Sequence, residues 1–261
     1  MSLVTIWSPV KKAGKSTVLF GLVKSLQKRV SKDSKVLVLC MNLGYGNVLK
    51  HFGIDASQEI NLEDIVNYRI HPSNDVDILK SIPQKDNIYF LGTHKTKMQF
   101  ATRNMKIFEN VIMELKSKFE LVLFDVISGT DNPLTNMVLD KSDSVITVIT
   151  QDKEHLDNED FKKENAILYI VNNYKDIYPN ESDLKSIYTL KNIVTIPECH
   201  QLIEMKNKNR LDFYNQHETA FNTSIDKVAQ IVIGKTGLKE EVVKVTEKRS
   251  FLKLLSKGGK A

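Results

Sequence analysis

Short apolar runs recur along the chain, separated by stretches in which apolar residues return every three or four positions. The runs at 3–7, 36–40, 88–91, 121–125, 144–149, 166–171 and 193–196 are mostly rich in β-branched residues. Their length and composition predict buried strands rather than helices. Between them the spacing of Val18, Leu19, Leu22, Val23 and Leu26, and again of Phe108, Val111, Ile112 and Leu115, predicts helices. Segment 151–165 is highly charged, and 174–184 carries Pro179 with several Asn, Asp and Ser; both read as loops. Strands alternating with helices predict a single three-layer α/β domain over 1–235. Its sheet is expected to be twisted and mostly parallel, of about seven strands, with ligands at the C-terminal edge of the strands. Residues 236–261 read as an appended tail.

Composition narrows the class without naming a function. A chain of 261 residues with 41% hydrophobic and 26% charged residues can bury a full core. No apolar run reaches the ~18 residues of a membrane span, and the first six residues are too short for a signal-peptide core. Cys40 and Cys199 make neither a disulfide framework nor a four-ligand zinc site, and are expected to be reduced thiols in a cytoplasmic protein. The net charge of +5 permits weak attraction to nucleic acid or anionic lipid and establishes neither.

The chemistry begins directly after the first run. Ser8-Pro9-Val10-Lys11-Lys12-Ala13-Gly14-Lys15-Ser16-Thr17 follows a strand and opens a helix near Ser16. In such a loop the backbone N–H groups of Lys11, Lys12, Ala13, Gly14, Lys15, Ser16 and Thr17 can curl round a β-phosphate. The helix N-terminus adds a favourable partial positive charge. Gly14 permits close approach, Lys15 reaches the β- and γ-phosphates, and the Ser16 hydroxyl takes a place on Mg²⁺. The usual first glycine of this pattern is Pro9 here. A second element, residues 119–129, is an apolar strand ending in Asp125, with Gly129 four positions on. Asp125 is expected to hold Mg²⁺ through a bound water, and Gly129 to offer its N–H to a γ-phosphate.

With these elements in order, the sequence resembles the ParA/MinD family of deviant-Walker ATPases, which includes the pilus-localising TadZ and CpaE type. The family pattern S-x-K-G-G-x-G-K-[ST]-T is similar to residues 8–17. Cys40-Met41-Asn42-Leu43-Gly44-Tyr45-Gly46-Asn47 resembles its D-x-D-x-G-x-x-N, and 119–146 resembles its strand ending in D-x-x-x-G. Ile170-Val171-Asn172-Asn173-Tyr174 and Ile196-Pro197-Glu198 resemble the two segments near the base. The resemblance implies ATP and Mg²⁺ as ligands, Asn172 in contact with adenine, Pro197 near the base, and a homodimer. The departures matter equally. The family's cross-dimer lysine falls on Val10, its two glycines on Lys11 and Lys12, and its acidic pair on Cys40 and Asn42. A thiol is a poor general base for water at neutral pH. Binding is therefore expected to be better preserved than hydrolysis, and no catalytic residue is assigned.

The tail contains Arg249-Ser250-Phe251-Leu252-Lys253-Leu254-Leu255-Ser256-Lys257. At ~100° per residue its four large apolar side chains fall within about 160°, with Arg249, Lys253 and Lys257 mainly opposite. Such a segment can lie on an anionic membrane surface, dock on a protein partner or stay disordered. MinD-type proteins carry a similar segment, which implies a peripheral place at the inner face of the cell membrane. The leading expectation is an ATP-binding spatial organiser that positions a pilus, secretion or division apparatus. A catalytically silent nucleotide-binding scaffold and a DNA-partition ATPase are the alternatives, with DNA the less favoured partner.

Overall fold

The computed structural model describes residues 1–41, 47–55, 59–70, 78–93, 97–157, 161–208, 211 and 219–241. Its strands are β1 (Ser2–Trp7), β2 (Val36–Cys40), β3 (Gln84–Lys85), β4 (Ile88–Gly92), β5 (Leu121–Asp125), β6 (Ser144–Ile149), β7 (Ala166–Tyr174) and β8 (Ile193–Pro197). They form one sheet in the order β3-β4-β2-β5-β1-β6-β7-β8. Every pairing is parallel except β3 with β4. The helices are α1 (Lys15–Arg29), α2 (Asn47–His51), α3 (Leu62–Ile70), α4 (Met98–Arg103), α5 (Met105–Lys118), α6 (Pro133–Lys141), α7 (Lys153–Leu156), α8 (Glu181–Ser186), α9 (His200–Asn207) and α10 (Ala220–Thr236).

The period-two alternation of each central strand sorts its side chains between two cores. Val4 and Ile6, Val36, Val38 and Cys40, and Leu121 and Leu123 join the core under α1 and α10. Leu3 and Trp7, Leu37 and Leu39, and Val122 and Phe124 join the opposite core, shared with α3, α5 and α6. Both faces of β2 and β5 are therefore buried, which is why these strands read as unbroken apolar runs. By the same alternation Asp125 falls on the α1 side, with Cys40 as its strand partner.

All seven expected strands form, and the eighth, β3, is the addition. It pairs just Gln84 and Lys85, both exposed, so no hydrophobic run announces it. The two segments read as loops carry more order than expected. Segment 151–165 contains the single turn α7, and Tyr174 ends β7 while residues 181–186 are helical. The polar cluster that suggested a loop is a capping box. Asn180 Oδ1 accepts from the N–H groups of Ser182 and Asp183 at 2.9 and 3.1 Å, and Asp183 Oδ2 accepts from Asn180 N–H at 2.9 Å.

At the C-terminal end, α10 stops at Gly237 in the left-handed conformation, φ 71°. The chain then runs back along the end of α1. Ser31 N–H donates to the Lys239 carbonyl at 2.9 Å, Val30 and Glu240 form an antiparallel bridge, and Glu241 N–H donates to Arg29 O at 2.7 Å. The amphipathic segment at 249–257 lies outside the described residues. Among the described residues no helix is long and apolar enough to cross a membrane.

Candidate functional site

The sheet changes direction around β1: the chain goes from β1 to β2 on one side, and later from β5 across β1 to β6. A crevice at the C-terminal ends of the strands opens at such a reversal. The segment leaving β1 there is the loop 8–14. Ser8 is fully buried and folds its hydroxyl onto the next turn, donating to Val10 O at 2.8 Å and accepting from Val10 N–H at 3.2 Å. Lys12 and Gly14 are both left-handed, with φ 64° and 94°. The first helical bonds run from Thr17 and Val18 N–H to Gly14 O, both 3.0 Å. The N–H groups ahead of them stand at the open end of α1, where an anion is favoured.

Lys15, Ser16 and Asp125 lie together at the start of α1. Lys15 Nζ donates to Asp125 Oδ1 at 2.8 Å and to Val126 O at 2.5 Å, with the lysine 7% exposed and the aspartate 1%. Ser16 Oγ donates to Asp125 Oδ2 at 3.1 Å. The Cys40 thiol, fully buried, donates to the same oxygen at 3.8 Å. One carboxylate thus collects an ammonium, a hydroxyl and a thiol. The pairing explains how both charges tolerate near-complete burial. Among the described residues no group of three or more His, Cys, Asp or Glu side chains could hold a metal ion.

Gly129 is engaged within the chain itself. Its N–H, expected to face a γ-phosphate, donates instead to Ser8 O at 2.9 Å. Its carbonyl accepts from the Trp7 indole Nε1 at 3.0 Å. The left-handed turn at Gly129, φ 87°, folds the segment after β5 back over the end of β1. Both backbone polar groups of Gly129 are then satisfied by β1 and the residue after it. Trp7 went unread as a site residue, although an indole in a fully buried strand end needs a hydrogen-bond acceptor and so signals one.

The remaining expectations divide. Asn172 is brought to the loop, where its Nδ2 donates to Ala13 O at 2.9 Å, and it is 6% exposed. Pro197 closes β8 opposite Tyr174, one strand further toward the sheet edge. Lys11 and Lys12 are exposed and Ala13 and Thr17 are buried. Val10, at the place of the family lysine, packs against the core under α1. Asn42 lies outside the described residues.

The fold has counterparts among solved structures. A ParA family ATPase from Chlorobium tepidum matches with a TM-score of 0.70 at 14% identity, over 88% of this chain and 98% of that one. A putative plasmid partition protein from Borrelia burgdorferi bound to AMPPNP matches at 0.69 and 20%, over 90% and 99%. The chain has the fold of the ParA and MinD ATPases. MinD from Pyrococcus horikoshii, complexed with Mg-ADP, shares this ParA/MinD fold at 0.69 and 20%, over 90% and 97%. No protein-family model and no curated protein sequence matches the chain.

Proposed function

We propose that this chain binds ATP with Mg²⁺ at the loop after β1 and acts as a ParA/MinD-type spatial organiser. In this reading it dimerises, associates with a membrane surface and positions a larger assembly such as a pilus, secretion or division apparatus. The motifs suggest the TadZ or CpaE type as kin. The observation that carries the reading is the meeting of Lys15, Ser16 and Asp125 on a loop that opens a helix at the C-terminal edge of the sheet. The donor set suits the ligand: a hydroxyl and a carboxylate 3.1 Å apart are the hard oxygens that Mg²⁺ prefers alongside phosphate and water. Lys15, the N–H groups at the start of α1 and Gly14 would hold phosphates, and Ser16 and Asp125 the metal. Mg²⁺ supplies neutralisation of phosphate charge there. The Borrelia partition protein carries AMPPNP and the Pyrococcus MinD carries Mg-ADP, which supports the same ligand class here.

Calorimetric titration with MgATP tests the reading. Lys15→Ala should lose roughly ten- to a hundredfold in affinity through a missing charge-assisted phosphate contact. Unchanged affinity in a folded variant would remove the assignment. Membrane association is assigned to 249–257 and predicts that truncation after Lys248 abolishes sedimentation with anionic liposomes. Salt-sensitive DNA binding without liposome binding would move the reading to partition. A complex of MinC with MinD from Aquifex aeolicus shares the fold and supports a protein partner as a further ligand class. The buried thiol at Cys40 and the packed Val10 favour slow hydrolysis, and at the limit a silent scaffold.

A further inference from the structure

Asn172 does more at this site than a base contact requires. It lies near the end of β7, where the register against β8 shifts between Asn172, opposite Ile196, and Tyr174, opposite Pro197. The residue between, Asn173, is left-handed with φ 55°, a conformation that asparagine adopts at small cost. An irregularity of this kind re-aims the neighbouring side chain. Here it accompanies the buried Asn172 amide that reaches across 159 positions of sequence to Ala13 O at 2.9 Å. The contact is close on both sides: a Cβ on Gly14 would stand 2.1 Å from Asn172 Nδ2.

We propose that Asn172 is a positioning residue for the phosphate loop, acting on any polyphosphate ligand whether or not it carries a base. The inference rests on the nucleotide reading of the site. The peptide between Ala13 and Gly14 is planar and trans, so its C=O and N–H point in opposite directions. Holding the Ala13 carbonyl toward β7 therefore directs the Gly14 N–H away from β7. The other bonds of the loop lie on Ser8, Val10 and the Gly14 carbonyl, and left-handed residues at Lys12 and Gly14 keep this peptide out of a regular hydrogen-bonding pattern. Without the Asn172 donor that peptide is free to rotate, and an amide aimed at an anion becomes one that must be ordered on binding.

Calorimetry with two ligands, MgATP and magnesium tripolyphosphate, separates this role from base recognition. Wild-type protein should bind both. Asn172→Ala should weaken both in the same proportion, about five- to tenfold, the range expected for one lost hydrogen bond. Asn172→Asp keeps size and shape but sets a carboxylate against the Ala13 carbonyl, so its loss should be larger for both ligands. It carries the test if the alanine variant does not fold. A loss confined to ATP would assign Asn172 to the base alone and overturn the proposal. So would a folded variant that melts earlier yet binds both ligands as wild type does, since the role is then merely structural. Wild-type protein that binds neither ligand would remove the nucleotide reading, and the clamp with it.

Discussion

The pair Lys15–Asp125 should be a stability element of the ligand-free protein, and a double-mutant cycle would show it. The two side chains are 8% and 1% exposed, with Nζ and Oδ1 2.8 Å apart. Asp125→Ala leaves a buried ammonium with the Val126 carbonyl as its remaining hydrogen-bond acceptor. Removing one member of a buried pair costs about 3–5 kcal/mol. At roughly 2–4 °C per kcal/mol for a chain of this size, the melting temperature should fall by about 6–20 °C. Lys15→Met should cost less, because the carboxylate keeps the Ser16 hydroxyl and the Cys40 thiol as donors. The double variant has no unpaired buried charge, so it should be more stable than the sum of the singles by about 1.5–3 kcal/mol. Urea unfolding without nucleotide or Mg²⁺ measures all four corners. Additivity within about 0.5 kcal/mol would refute the reasoning, since it would mean the two charges do not depend on each other in solution. The same proteins with ATP at a hundred times its Kd give a second check: wild type should gain about 2.7 kcal/mol and Lys15→Met far less.

Two further outcomes follow from the loop. Lys12→Gly should stabilise the protein by up to about 1 kcal/mol: it removes the left-handed strain at φ 64° but gives back part as unfolded-chain entropy. Gly14→Ala should do the reverse, because φ 94° and the approach of Asn172 both reject a side chain; thermal melts of the two variants would check the opposite signs. Trp7 is the chain's single tryptophan, and its indole is bonded to the Gly129 carbonyl. MgATP that draws the Gly129 peptide from Ser8 should shift its emission, and an unchanged spectrum at saturation would mean that the Gly129 segment stays as it is.

The sequence carried the fold because its determinants are local and periodic. Seven apolar runs on a buried parallel sheet cannot hide, whereas β3, with two exposed polar residues, has no such signal. The meeting of the loop after β1 with Asp125 was legible because both stand directly beside strand ends. What stayed illegible is set by distant contacts. That the Gly129 N–H turns to Ser8, that Trp7 holds the carbonyl of the same residue, and that Asn172 grips Ala13 all depend on which strand ends the fold brings together. The cap at Asn180 was legible in principle, since Asn followed three residues later by an acid is a helix-start signal, but Pro179 and the polar run outweighed it.

The same local geometry sharpens the expectation that bound ATP turns over slowly. Hydrolysis at such a loop needs a positioned water and stabilisation of the charge that builds on the transferred phosphoryl group. The family's acidic position at the end of β2 holds Cys40, whose thiol is fully buried and donates toward Asp125. The cross-dimer lysine position holds Val10, packed against the core under α1. Losing one such group commonly costs on the order of 10²–10³ in rate, and losses within one unit do not add. Cys40→Asp alone should restore little. Cys40 pairs with Asp125 across β2 and β5, so the new carboxylate would sit beside an existing one in a buried place. Two such neighbours do not both ionise readily, and the protonated one cannot orient water as a base. Adding Val10→Lys supplies a positive charge at the loop and gives the double variant the better prospect. Steady-state phosphate release at saturating MgATP, with and without anionic liposomes and with Lys15→Ala as the blank, measures this. Wild-type turnover of several per minute would sink the argument, for it would require a carboxylate outside this set, such as the exposed Asp131 or one from a partner.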